Sequence, residues 1–139
     1  MPRFGVWCLA ALGVLVCSGC VSTPFVRESS AWQGRTPIRA SYMWGTLQAE
    51  LPPGIRVESA LVAARQQMRR QGHQVTEWSI TPQGGRLIAL APPDTPYSRV
   101  HISGRTDSAG GVLFKIHMDP DSEGRTRLIL DAVLADLGV

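Results

Sequence analysis

Two histidines lie in neighbouring stretches where apolar and polar residues alternate, and imidazole can bind a metal ion or exchange protons near neutral pH. The stretches run from Tyr97 to Gly104 and from Val112 to Met118, around a polar segment from Thr106 to Gly111. This pattern predicts a β-hairpin. If its turn is centred on the middle of the polar segment, His101 lies directly opposite His117. Opposed Cβ atoms are about 4.5–5.5 Å apart, close enough for two rings to share an ion.

A metal site at this pair has no evident third ligand. His73 belongs to the end of a predicted helix, no carboxylate is evident nearby, and Lys115 shares the face and would repel a cation. Two solvent-facing histidines on an open sheet are therefore the favoured interpretation, and the sequence predicts no cofactor. A close pair would make that face sensitive to pH.

The acidic run Asp119-Pro120-Asp121-Ser122-Glu123-Gly124 is similar to the first half of a calcium-binding loop. The second half fails, because Leu130 stands where a bidentate Glu belongs and arginines occupy two further ligand positions. Negative charge also stabilises a helix N-terminus. The run is therefore predicted to begin the last helix, with Asp121 or Ser122 as its cap.

Arg65, Arg69 and Arg70 form a cationic stripe on a predicted helix, since residues four apart share a face. Guanidinium groups bind phosphate well, so contact with anionic headgroups, lipopolysaccharide or an acidic partner is one hypothesis. A solvated helix face is the other. The formal net charge of +3 is too small and too scattered to indicate nucleic-acid binding.

All three cysteines lie within the first 20 residues. The segment begins with a positive charge at Arg3, continues through an apolar run from Phe4 to Val16 and ends in Ser18-Gly19-Cys20. A short basic region, an apolar region and small residues are typical of a signal peptide. The apolar run is shorter than the roughly 20 residues that a transmembrane helix needs, which makes a permanent membrane span the weaker interpretation.

The end of this segment resembles the lipobox of bacterial lipoproteins, although Cys17 stands where an aliphatic residue is usual. The resemblance implies a signal peptide at residues 1–19 and acyl chains on Cys20. Several chains anchor a protein almost permanently, at about 0.8 kcal/mol per buried CH₂. Cleavage before Cys20 would discard the other two cysteines, leaving no thiol for a disulfide. By the same resemblance, Val21 after the cysteine favours the outer membrane.

The elements that follow predict a single α+β domain at residues 39–139. Serine, threonine, glycine and proline interrupt residues 20–38, which are therefore predicted to be a flexible tether. The predicted fold is a two-layer sandwich, an antiparallel sheet of four to five strands packed by two helices. Besides the hairpin above, its elements are a strand at 39–51, a helix at 55–71, strands at 74–80 and 86–91, and a helix at 122–137.

Residues 40–137 resemble a family of small bacterial lipoproteins catalogued only as a domain of unknown function. The resemblance is carried by Tyr42 to Leu47, by Ala60-Leu61 together with Gln71 to Val75, by the strand after the second loop and by Leu128 to Leu134. The segment from Phe114 to His117 departs from the glycine and arginine that are common there in that family. The resemblance implies a lipid-anchored periplasmic domain and no activity.

No catalytic motif stands out: G-x-S-x-G is absent from the sequence, and Glu50, Glu58 and Glu77 belong to different elements. We therefore expect a non-enzymatic envelope lipoprotein that faces the periplasm. Its expected partners are membrane lipid, through Cys20, and an envelope protein. Trp44 and Trp78 are candidates for an exposed docking patch, with core packing as the alternative for each. An anion or ligand binder that uses the arginine stripe is the alternative function.

Overall fold

The computed structural model describes residues 26–29 and 38–139. The predicted signal peptide, Cys20 and most of the predicted tether lie outside the described residues. The elements in chain order are β1 (Val26–Ser29), β2 (Ile38–Met43), β3 (Thr46–Leu51), α1 (Val57–Arg70), β4 (Gln74–Thr81), β5 (Gly84–Leu90), β6 (Arg99–Thr106), β7 (Val112–Asp119) and α2 (Glu123–Asp136).

The strands form a single sheet in the order β1-β2-β3-β7-β6-β5-β4, and every neighbouring pair is antiparallel. The predicted α+β class, the two helices and the two hairpins β4–β5 and β6–β7 are confirmed. The predicted count of four to five strands is wrong, because residues 38–139 contain six and β1 adds a seventh. The additional strand β1 falls within the predicted tether.

The stretch from Arg39 to Leu51 was expected to be one strand, but it is the hairpin β2–β3. Trp44 and Gly45 form its two-residue turn, with φ angles of 53° and 72°. Two successive positive φ angles are those of a type I′ turn, which normally carries Asn or Gly at the first position. Trp44 gives no such signal, so the alternation on either side of the turn is easily taken for one continuous strand.

Both helices cover the same face of the sheet. In β6 and β7 the apolar residues that alternate with the polar ones are buried: Val100, Ile102, Phe114, Ile116 and Met118 are each at most 1% exposed. Helix α1 comes close to the sheet because glycines stand beneath it. A Cβ atom on Gly104 would lie 2.9 Å from Val57 Cγ2, and one on Gly85 would lie 2.8 Å from Leu61 Cδ1. Within residues 26–29 and 38–139, no helix covers the opposite face of the sheet.

The register brings several connections to one end of the sheet, here called the Trp44 end. Thr46, next to the turn, pairs with His117 near the end of β7, and Val26, which pairs with Ser41, is the end of β1 nearer to this turn. The β7–α2 connection lies there too, since a Cβ atom on Gly45 would be 3.0 Å from Asp121 Cβ. In the part of the chain that the structure describes, no helix is long and apolar enough to cross a bilayer.

Candidate functional site on the open face of the sheet

The sheet face opposite the helices, here called the open face, carries two rows of side chains across its central strands. One row runs through Thr46, His117, His101 and Ile88, and the other through Gln48, Lys115, Ser103 and Arg86. These residues alternate along their strands with the buried core positions. The two rows are therefore presented to solvent by a sheet whose other face is fixed by the core.

The two histidines are brought together as the sequence predicts. His101 pairs with His117 in the register of β6 and β7, and their ring centroids are 5.9 Å apart at an interplanar angle of 56°. Nδ1 of His117 lies 2.8 Å from the carbonyl oxygen of Gly45 and 3.5 Å from Thr46 Oγ1. A carbonyl only accepts, so Nδ1 carries the hydrogen and donates it. In the neutral ring this leaves the lone pair on Nε2.

Burial lowers the pKa of His101 below its ordinary value, and the nearby charges of His117 and Arg99 lower it further. Asp119 and Glu77 act in the opposite direction but are the smaller causes. The neutral form of His101 is therefore favoured, and this imidazole can accept a hydrogen bond or take up a proton as the pH falls.

A shallow hollow of about 240 Å³ opens around the pair. Thr46 and Ser103 contribute hydroxyl groups to its lining, and Lys115 and Arg86 contribute cationic groups. Arg86 also forms an ion pair with Glu77 at 3.0 Å. This mixture of donors, cations and imidazole acceptors suits a polar or anionic group of a partner.

The histidine pair is a poor metal centre in this setting. Among residues 38–139 and 26–29, no three side chains of His, Cys, Asp or Glu are grouped so that they could hold an ion. His73 is engaged elsewhere: its Nε2 lies 2.9 Å from Tyr97 Oη, and the two rings stack at 5.7 Å. Among the described residues, an ion at His101 and His117 would therefore find no third ligand of these four types, and the cationic Lys115 would lie beside it.

The arginine stripe of α1 does not present three free guanidinium groups. Arg70 Nη1 donates to both carboxylate oxygens of Asp136 at 2.9 Å. The Arg65 guanidinium lies over the ring of Trp78, 4.8 Å from its centroid. Arg69 is exposed. Two of the three cations are thus engaged with other parts of the protein, which sequence spacing alone does not reveal.

The acidic run begins helix α2. Ser122 is the N-cap, as predicted, and its Oγ accepts from the backbone N–H of Arg125 at 3.5 Å. Asp121 accepts a hydrogen bond from Tyr42 Oη at 3.2 Å, and Glu123 forms an ion pair with Arg127 at 2.9 Å. The carboxylates therefore serve the helix start and the neighbouring hairpin.

The two tryptophans singled out by the sequence have different surroundings. Trp78 is half-buried beneath Arg65 and packs against the core. Trp44 is 91% exposed at its turn, and Met43 beside it is 47% exposed. The exposed turn was missed at the sequence level, and its one signal is Gly45 between two six-residue alternating segments.

Comparison of the chain with protein-family models and with curated proteins finds no match in either. The resemblance to the lipoprotein family of unknown function therefore stays a prediction. The function has to be argued from the N-terminal segment and from the surfaces described above.

Proposed function

We propose that this protein is a lipid-anchored bacterial envelope lipoprotein, whose domain is a non-enzymatic module that binds an envelope protein. The observation that carries the proposal is the order of Arg3, the apolar run and Ser18-Gly19-Cys20 at the N-terminus. Strand β1 begins only six residues after Cys20 and joins the sheet by pairing with β2. An acylated Cys20 would therefore hold the domain next to the membrane, and Val21 favours the outer membrane facing the periplasm.

The open face supports the binding role. Its hollow is lined by Lys115, Arg86, Ser103 and the two histidines, all of which can donate or accept hydrogen bonds. The described residues that line it include no carboxylate that could orient an imidazole toward Ser103, as a catalytic triad requires. A partner with acidic or hydroxyl groups would match this surface.

The alternative is an anion or ligand binder that uses Arg65, Arg69 and Arg70. The exposed Arg69 favours it, because a guanidinium binds lipid or lipopolysaccharide phosphate well. The ion pair of Arg70 with Asp136 and the position of Arg65 over Trp78 weigh against it. If it holds, Arg69→Gln lowers binding to anionic vesicles, whereas unchanged binding removes it.

A photo-crosslinking amino acid at Ser103 tests the binding surface in cells, with the same probe at the exposed Val62 of α1 as the matched control. We expect a defined adduct with an envelope protein from position 103 that is lost in the Lys115→Glu variant. The control position should give no such adduct. Identical adducts from both positions, or an adduct that survives Lys115→Glu, would contradict binding through the open face.

A further inference from the structure

The β2–β3 turn exposes a large apolar side chain, Trp44, on a residue whose backbone conformation is energetically unfavourable. Trp44 has φ of 53°, a left-handed conformation that bulky residues rarely adopt, and is 91% exposed. Neither core packing nor turn preference accounts for a tryptophan there. Backbone strain that is not offset by favourable packing is typical of functional positions.

The turn is held firmly on the sheet. The Gly45 carbonyl accepts from His117 Nδ1 at 2.8 Å, and Tyr42 Oη donates to Asp121 at 3.2 Å. A Cβ atom on Gly45 would lie only 3.0 Å from Asp121 Cβ. The contacts with β7 and with the start of α2 therefore fix the orientation of the hairpin turn that contains Trp44.

The chain also places this turn on the side of the proposed anchor. Val26 pairs with Ser41, only three residues from Trp44. Five residues separate Val26 from Cys20, which limits their Cα separation to about 20 Å even in a fully extended chain. Strand β1 runs away from this turn, since its last residue, Ser29, pairs with Ile38. The chain therefore enters β1 from the side of Trp44. An acylated Cys20 would thus bring the Trp44 end toward the bilayer.

We propose that Met43 and Trp44 form a second membrane contact, inserted into the interfacial region of the phospholipid bilayer beside the acylated Cys20. This inference rests on the proposed lipid anchor. Tryptophan prefers the membrane interface, where its ring is buried and its N–H remains hydrated. The contact would fix the orientation of the domain. Its strands would then run away from the membrane, and the open face would point sideways, where it stays accessible to a partner.

The charges around the turn indicate which lipid property it uses. Asp121 lies against the turn, and Asp119 is paired in register with Arg99 at the same end. Such a mixed surface gives no preference for anionic headgroups. The contact is therefore apolar and interfacial, and zwitterionic phosphatidylcholine should suffice as the lipid.

Tryptophan fluorescence in reconstituted vesicles tests the contact on the mature lipidated protein. One variant, Trp32→Phe with Trp78→Phe, retains Trp44 in the domain, and its matched control, Trp32→Phe with Trp44→Phe, retains Trp78. Each is reconstituted into phosphatidylcholine with plain or brominated acyl chains, at low and high salt. Mass spectrometry of the same samples reports removal of residues 1–19, together with Trp7, and the acyl chains on Cys20.

We expect brominated chains to remove most of the Trp44 emission at both salt concentrations and to leave the Trp78 emission unchanged. A Trp44 emission that is equal in plain and brominated vesicles, with Cys20 acylated, would overturn the membrane contact and leave the anchor intact. A Trp44 emission that is shifted to the blue equally in plain and in brominated vesicles would also overturn the membrane contact. It would show that a protein surface or a second copy of the chain covers Trp44. A mass without acyl chains on Cys20 would instead refute the proposed function.

Discussion

Replacing Trp44 with Asn should make the domain more stable. The left-handed backbone conformation costs an L-residue roughly 1–2 kcal/mol, and Asn relieves part of this cost because its short side chain bonds locally. The change sacrifices little packing: less than a tenth of the tryptophan surface is buried. For a side chain of about 200 Å² this is worth roughly 0.5 kcal/mol. We expect the free energy of unfolding to rise by about 0.5–1 kcal/mol.

Urea denaturation of residues 20–139 carrying Cys20→Ser, which removes the acylation site, measures this difference. Trp44→Ala is the matched control, because it removes the same ring but keeps a residue with a Cβ penalty at positive φ. The control should therefore be neutral or up to about 0.5 kcal/mol less stable than the parent. The slope of the free energy of unfolding against urea concentration should be the same in all three proteins, since the surface exposed on unfolding hardly changes.

The opposite order of stability would refute the reasoning. If Trp44→Asn and Trp44→Ala are both destabilised by more than about 1 kcal/mol, Trp44 contributes to packing within the chain. Its exposure would then no longer indicate an external contact. If Asn is stabilising, the tryptophan is retained at a cost to folding, as expected for a residue that serves binding.

Three further predictions concern the domain itself. Phe114→Ala removes a fully buried ring and should lower the free energy of unfolding by about 3–5 kcal/mol, measured by urea denaturation; a loss below 1 kcal/mol would contradict the described core. In a double-mutant cycle, the exposed Arg70–Asp136 ion pair should contribute less than about 1 kcal/mol, and a larger coupling would show that it is more than a surface pair. The pKa of His101 is lowered from its ordinary value of 6.5 in the folded state. Below pH 6.5 the unfolded chain therefore binds more protons than the folded one, and the free energy of unfolding should fall as the pH drops below this value. His101→Gln should weaken this dependence, and an NMR titration giving a pKa for His101 above 6.5 would refute the cause assigned to it.

Much of the fold could be predicted because local patterns and tertiary structure agree. The opposition of His101 and His117 followed from the alternation of apolar residues and from the centre of their hairpin loop. Buried faces tolerate no slip of register by one residue, since such a slip would expose every core side chain.

The missed features depend on contacts between distant parts of the chain. The Trp44-Gly45 turn uses a residue that seldom occupies such a position, so turn propensities gave no warning of the hairpin β2–β3. The stacking of Arg65 over Trp78 joins α1 to β4, and the Arg70–Asp136 pair joins the two helices. Residue spacing within one element cannot show that its charged face is occupied by another.

The chemistry of Cys20 is the most direct test of the proposed lipid anchor. Intact-mass analysis of the membrane-extracted protein, beside a Cys20→Ser variant and after labelling with an alkynyl fatty acid, measures it. We predict a mature chain that begins at Cys20, carries acyl chains and incorporates the label, and a variant that is unlabelled. A chain that retains residues 1–19, or a Cys20→Ser variant that still incorporates the label, would contradict the lipoprotein assignment.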